Sequence, residues 1–134
     1  MSDNIIEVQD LSRCFGKALV LDQISFDVQP GYVYGLVGAN GAGKTTLMKH
    51  LLGLLKAQRG SVRVFGKDPV KNPVEVLGKI GYLSEERELP EWMRIDELLS
   101  YTKAYYPRWD SAYAQQLVNE FGLNASKRVK QLSK

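Results

Sequence analysis

The chain has 134 residues, 44% of them apolar and 10% aromatic, which suits one packed domain or part of a larger one. No apolar run approaches the ~18 residues of a membrane-crossing helix, Met1-Ser2-Asp3-Asn4 lacks the layout of a secretion signal, and a single cysteine, Cys14, excludes an internal disulfide, so the composition points to a soluble chain in a reducing compartment. The formal charge of +3 comes from four basic residues among the last eight; the rest holds 14 basic and 15 acidic groups, so no nucleic-acid footprint is expected.

In chain order, Ile5-Ile6-Glu7-Val8 reads as a first strand. Ala18–Leu21 and Ile24–Val28 read as two further strands, the second with apolar/polar alternation. Pro30-Gly31 forms a turn into Tyr32–Val37, apolar on both faces as a central parallel strand is. Next stands Gly38-Ala39-Asn40-Gly41-Ala42-Gly43-Lys44-Thr45, which satisfies Gly-x4-Gly-Lys-[Ser/Thr]. A helical pattern from Gly43 to about Leu55 follows, and strand, glycine turn, helix is the context in which that spacing binds nucleoside triphosphates.

The residue types supply the chemistry. Gly38, Gly41 and Gly43 permit turns that side chains would block, so successive N–H groups form a nest for phosphate oxygens. The helix adds its N-terminal donors and positive dipole end. Lys44 brings a point charge to the β- and γ-phosphates. Thr45 offers a hydroxyl to Mg²⁺, which takes few protein ligands, and Thr46 a second hydroxyl near the α-phosphate.

Beyond the helix, Ser61–Phe65 reads as a strand, Pro73 to about Leu77 as a short helix, and Ile80–Leu83 as another strand. Ser84–Pro90 is polar and irregular. Ile95, Leu98, Leu99, Thr102, Tyr105 and Tyr106 repeat at helical spacing until Pro107. Asp110 is a candidate N-cap for a helix whose apolar face carries Tyr113, Leu117, Val118 and Phe121, with Gly122 at C′. The basic end reads as a short solvated tail. The only histidine, His50, lies within the first helix as a surface or packing residue.

Taken together, these motifs and their order strongly resemble the ATP-binding subunit of an ABC transporter. Leu11-Ser12-Arg13-Cys14-Phe15-Gly16 is similar to the family's segment whose aromatic stacks on adenine, which implies that role for Phe15; alone, Phe15 would read as a core aromatic beside a buried cysteine. Ile80-Gly81-Tyr82-Leu83-Ser84-Glu85 resembles the Q-loop strand, with Glu85 where the family usually carries glutamine. Ser84-Glu85-Glu86-Arg87 is similar to the variant of many bacterial export-type ATPases. Arg128–Lys134 resembles the run into the family's signature, stopping before its glycines.

The resemblance implies an α/β P-loop NTPase (RecA-like) core with N-terminal antiparallel β elements over residues 1–91, and a truncated helical subdomain over 92–134. It implies ATP and Mg²⁺ held by Phe15, Gly38, Asn40, Gly41, Ala42, Gly43, Lys44, Thr45 and Thr46. Lys44 and Glu85 are the expected catalytic residues, and Thr45 and Glu85 the expected metal ligands. The expected partners are a transmembrane permease subunit and a second ATP-binding subunit, and the expected place is the inner face of the cell membrane. A soluble ABC-type ATPase acting on ribosomes or DNA, and a non-hydrolysing nucleotide-binding fragment, stay open as alternatives. The 134 residues alone are not expected to hydrolyse ATP.

Overall fold

The computed structural model describes residues 4–84 and 89–132. The chain forms two compact units, residues 1–77 and 78–134.

In the first unit, β1 (Ile6–Phe15) and β2 (Ala18–Val28) pair antiparallel around Gly16-Lys17. β3 (Arg59–Val64) pairs antiparallel with the other edge of β1, giving the order β2-β1-β3. Val8 and Leu11 of β1, Leu21 of β2, and Val62 and Val64 of β3 are buried; Val62 and Val64 keep the period of two of a strand face, while the step from Val8 to Leu11 is lengthened by one residue at a register shift. The strands outrun the expected ones because the ladder passes through two irregularities instead of stopping. Asp10 and Gln23 each adopt φ 47°, beside shifts in the β1–β2 register. The backbone donors displaced there find cross-strand hydroxyls: Asp10 N–H donates to Ser25 Oγ (2.8 Å) and Gln23 N–H to Ser12 Oγ (2.9 Å). Satisfied donors let a bulged ladder persist, so Ala18–Leu21 and Ile24–Val28 form one strand and Leu11–Phe15 belongs to β1.

Helix α1 (Lys44–Leu51) buries Leu47, His50 and Leu51. It ends earlier than the apolar pattern predicts, at Gly53 in the left-handed region (φ 72°). Leu54 N–H donates to Lys49 C=O (2.9 Å) and Gly53 N–H to His50 C=O (3.1 Å), the paired bonds of a Schellman stop. His50 is a packing residue: it is buried, and its Nδ1 lies 2.8 Å from Thr46 C=O. Helix α2 (Pro73–Leu77) buries Val76.

Two expected strands form no ladder. Tyr32–Val37 has no strand partner, and its side chains are exposed, Val37 at 94%. Ile80–Leu83, in the second unit, is likewise unpaired, with Leu83 91% exposed. Both runs carry the composition of a strand buried on two faces, but a strand exists only against a hydrogen-bonded neighbour, and none of the described strands pairs with them. Such unpaired apolar edges recruit other chains. The polypeptide 1–134 is therefore expected to self-associate, with a light-scattering mass above the 15.1 kDa of the single chain. Val33→Lys, which places a charge in the middle of the run, is expected to lower that mass. A strictly monomeric 1–134 at micromolar concentration would contradict the expectation.

The second unit carries α3 (Ile95–Lys103) and α4 (Ser111–Glu120). The Glu97 carboxylate accepts Arg94 N–H at 2.9 Å at the start of α3, satisfying a donor the helix leaves open. After α3, the Tyr105 hydroxyl donates to the Tyr101 hydroxyl at 2.9 Å, with the rings edge-on at 5.2 Å. That hydrogen bond raises the Tyr105 phenol above its ordinary value. Asp110 caps α4 by accepting Tyr113 N–H (2.9 Å), and Gly122 stands at C′ with φ 59°, closing a second Schellman stop through Leu123 N–H to Val118 C=O. The buried side of α4 centres on Val118, while Tyr113 and Phe121, expected on that face, are exposed.

The basic end is not a free tail over its described part. Ile95 N–H donates to Lys127 C=O, Asp96 N–H to Ala125 C=O, Val129 N–H to Met93 C=O and Lys130 N–H to Glu91 C=O. A 3-10 turn follows at Val129–Gln131. The side chains of Lys127, Arg128 and Lys130 stay largely open to solvent, so a solvated charge run rides on a backbone fixed by main-chain pairing.

Candidate functional site

The candidate phosphate loop, residues 38–45, lies in the first unit, at the start of α1. The glycine turn is drawn tight: Ala42 N–H donates to Ala39 C=O at 3.1 Å, and Gly41 and Gly43 adopt φ 84° and 92°. Gly43 is the N-cap of α1 and offers no side-chain acceptor. The first N–H groups of α1 have no intrahelical acceptor of their own, so this end of the helix can receive an anion.

Gly43 is fixed by two constraints. Its φ lies where L-residues are rare, and a Cβ there would stand 2.9 Å from Val20 C=O and 2.9 Å from Leu21 Cδ2. The bare backbone of Gly43 thus seats the mouth of the loop directly on β2. At Gly38 the space is less restricted: a Cβ there would stand 3.2 Å from Ala42 Cβ, a side-chain neighbour.

Lys44 folds back over the loop. Its ammonium donates to Gly38 C=O and to Ala39 C=O, the latter at 2.9 Å. The cation is anchored at the rim of the turn by two neutral acceptors, and no described carboxylate pairs with it. Asn40, Ala42 and Thr45 are exposed, and Thr46 is half-buried. The elements therefore bring together Gly38, Asn40, Gly41, Ala42, Gly43, Lys44, Thr45 and Thr46 within one turn and the first helical turn.

Phe15 stands apart from that loop along the sequence, at the end of β1. It is 47% exposed, and the neighbouring Cys14 is exposed as well, so Phe15 is not a core aromatic beside a buried cysteine. The Arg13 guanidinium carbon lies 4.8 Å from its ring centroid. Composition and spacing gave no warning of Arg13 or of Gln58, whose side chain pairs with Cys14 from 44 residues away. Glu85, the second expected catalytic residue and metal ligand, lies outside the described residues, as do Glu86 and Arg87 of the same run and Ser133 and Lys134 of the expected signature approach.

Among the described residues, no group of three or more His, Cys, Asp or Glu side chains is placed to hold a metal. A cation at this loop would rest on the Thr45 hydroxyl and on the phosphates themselves, a donor set of hard oxygens that fits Mg²⁺.

These features define a phosphate-loop nucleotide-binding protein. The family of the ABC transporter matches residues 21–134, and the chain belongs to that family. It is 41% identical over 81 residues to the bacitracin transport ATP-binding protein BcrA of Bacillus licheniformis, covering 60% of this chain and 26% of that protein. It is 46% identical over 78 residues to the galactose/methyl galactoside import ATP-binding protein MglA of Treponema denticola, covering 58% of this chain and 16% of that protein. Among solved structures, an ATP-binding subunit of an ABC transporter superposes with a TM-score of 0.86 at 30% identity, covering 97% of this chain and 56% of the other. The chain spans about a quarter of the length of BcrA and little over half of that structure. The fold is that of the ABC ATPases, an α/β P-loop architecture with antiparallel strands.

Proposed function

We propose that this chain belongs to the ATP-binding subunit of an ABC transporter and grips Mg-ATP through the loop at the head of α1. The observation that carries the proposal is the loop's geometry. Gly43 seats an uncapped helix start on β2, and Lys44 is drawn over the turn by Gly38 and Ala39. In this reading the N–H groups of Gly41, Gly43 and the first residues of α1 hold phosphate oxygens. Lys44 neutralises the β- and γ-phosphates, and Thr46 lies near the α-phosphate. Mg²⁺ would be held through Thr45 and would neutralise charge on the β- and γ-phosphates when bound. Phe15 offers its open face to the adenine. Glu85 serves the metal and the attacking water, the role its place in the Q-loop-like run supports.

Residues 1–91 then form the nucleotide-binding core and residues 92–134 the helical subdomain. The whole protein hydrolyses ATP as a pair of such subunits and drives a transmembrane permease. No helix among the described residues is long and apolar enough to cross a membrane, and in this reading the membrane path belongs to that partner. The relatives named above include a bacitracin transport protein and a sugar import protein. Export is the direction favoured by the similarity of Ser84-Glu85-Glu86-Arg87 to export-type ATPases.

Calorimetric titration of the full-length protein with Mg-ATP and Mg-GTP tests the site. A base held by a π-face is poorly discriminated, so the two nucleotides are expected to bind alike. Base–aromatic stacking is worth about 1–3 kcal/mol, and the low end applies to a ring already packed on one face. Phe15→Ala is therefore expected to weaken both nucleotides about fivefold. Unchanged binding of both would make Phe15 a surface aromatic with no part in the site.

A further inference from the structure

The backbone just before Phe15 is held by two side-chain clamps, and both lead to the segment that follows α1. At Cys14, the Gln58 carboxamide works in both directions. Its Oε1 accepts Cys14 N–H at 2.7 Å and its Nε2 donates to Cys14 C=O at 3.2 Å. The main-chain ladder between β1 and β3 reaches its last pair at Ser12 and Arg59. The Gln58 amide therefore stands in for one more ladder residue, since a carboxamide carries the same donor and acceptor as a peptide unit. At Arg13, Nη1 donates to Lys56 C=O at 3.1 Å, and the guanidinium covers one face of the Phe15 ring. Arg13 Nε is buried without a hydrogen-bond partner, so the planar group is aligned by packing and by that single carbonyl.

Residues 56–58 begin three residues beyond Gly53, the stop of α1. A continuous path therefore runs from the phosphate loop along α1, through Lys56 and Gln58, to the strand end that carries Phe15. We infer that Gln58 and Arg13 are positioning residues for the base platform: they fix the Phe15 ring relative to the phosphate loop, so that one nucleotide reaches both. This rests on the assignment of Phe15 to the base. Without the two clamps the last residues of β1 keep only their pairing with β2 (Cys14 to Leu19, Phe15 to Ala18), at the turn end of a hairpin where strands fray.

A role in positioning the base separates from a role in general stability by comparing a ligand that has a base with one that has none. The full-length protein is titrated with Mg-ATP and with Mg-tripolyphosphate. Losing two net hydrogen bonds of modest worth, Gln58→Leu is expected to weaken ATP on the order of fivefold and to leave tripolyphosphate unchanged. Arg13→Ala is expected to show the same selective loss. Arg13→Lys, which keeps a cation and a donor for Lys56 C=O, is expected to recover part of it. Equal weakening of both ligands, loss of tripolyphosphate binding altogether, or no weakening of ATP would each overturn the inference. Phe15→Ala in the same assay separates the two levels. If it weakens ATP selectively while Gln58→Leu and Arg13→Ala do not, only the positioning role falls. If it leaves ATP untouched, the base platform itself is wrong and the inference falls with it.

Discussion

Replacing Lys44 by alanine is expected to weaken Mg-ATP binding on the order of 100-fold, the largest effect of any single side chain in the loop. Charge-assisted hydrogen bonds are worth about 1.5–3 kcal/mol each, and in the proposed reading Lys44 serves two phosphates. The substitution also removes the ammonium that ties Gly38 C=O and Ala39 C=O together, so the turn loses an internal brace along with its cation. Lys44→Arg keeps the charge but replaces a compact ammonium with a planar fork that matches the two carbonyls poorly. It is expected to fall between wild type and alanine. Calorimetry on the three proteins decides the matter: ATP affinity unchanged in Lys44→Ala would remove the phosphate assignment.

Gly43→Ala is expected to damage fold and site together. The added Cβ must adopt a left-handed conformation, which costs roughly 1–2 kcal/mol for an L-residue, and it meets a backbone carbonyl, Val20 C=O, at 2.9 Å. A backbone neighbour cannot rotate away as a flexible side chain can. The head of α1 must then lift from β2. A destabilisation of about 2 kcal/mol corresponds to a fall in the thermal midpoint of about 7 °C in a domain of this size. Nucleotide affinity is expected to drop with it, because the N–H groups proposed to hold the phosphates move with the helix end. Gly41→Ala makes the contrast: Gly41 has a similar φ of 84° but open space where its Cβ would stand, so it should show backbone strain without the displacement. A Gly43→Ala protein that melts and binds ATP like wild type would show that the contact with β2 carries no weight.

Much of the candidate site is legible in the amino-acid sequence. The spacing of Gly38, Gly43, Lys44 and Thr45 is a local signal, because a phosphate loop is built from consecutive backbone groups and one helix end. The caps are local as well: Asp110 and Gly122 bracket α4 as their residue types predict, since a side-chain acceptor and a glycine at positive φ act within a turn of the chain. Gly53 is an equally local stop signal, masked in the sequence by the longer apolar pattern around it. The family, too, can be recognised from the order of short motifs along one chain.

Tertiary structure decided what depends on partners distant in sequence. Asp22-Gln23 reads as a break between strands, yet Ser12 and Ser25 satisfy the bulged donors from the opposite strand and the ladder continues. Tyr32–Val37 has the composition of a buried strand, but pairing is a property of two segments, and no described strand pairs with it. The apolar spacing of α4 places Tyr113 and Phe121 inward, and only packing shows that Val118 alone is fully covered. The two clamps on the Phe15 strand end, from Gln58 to Cys14 and from Arg13 to Lys56 C=O, span 44 and 43 residues respectively. Hydrogen bonds of that reach leave no periodicity in the sequence, because their geometry exists only once β1 and the segment after α1 have been brought side by side.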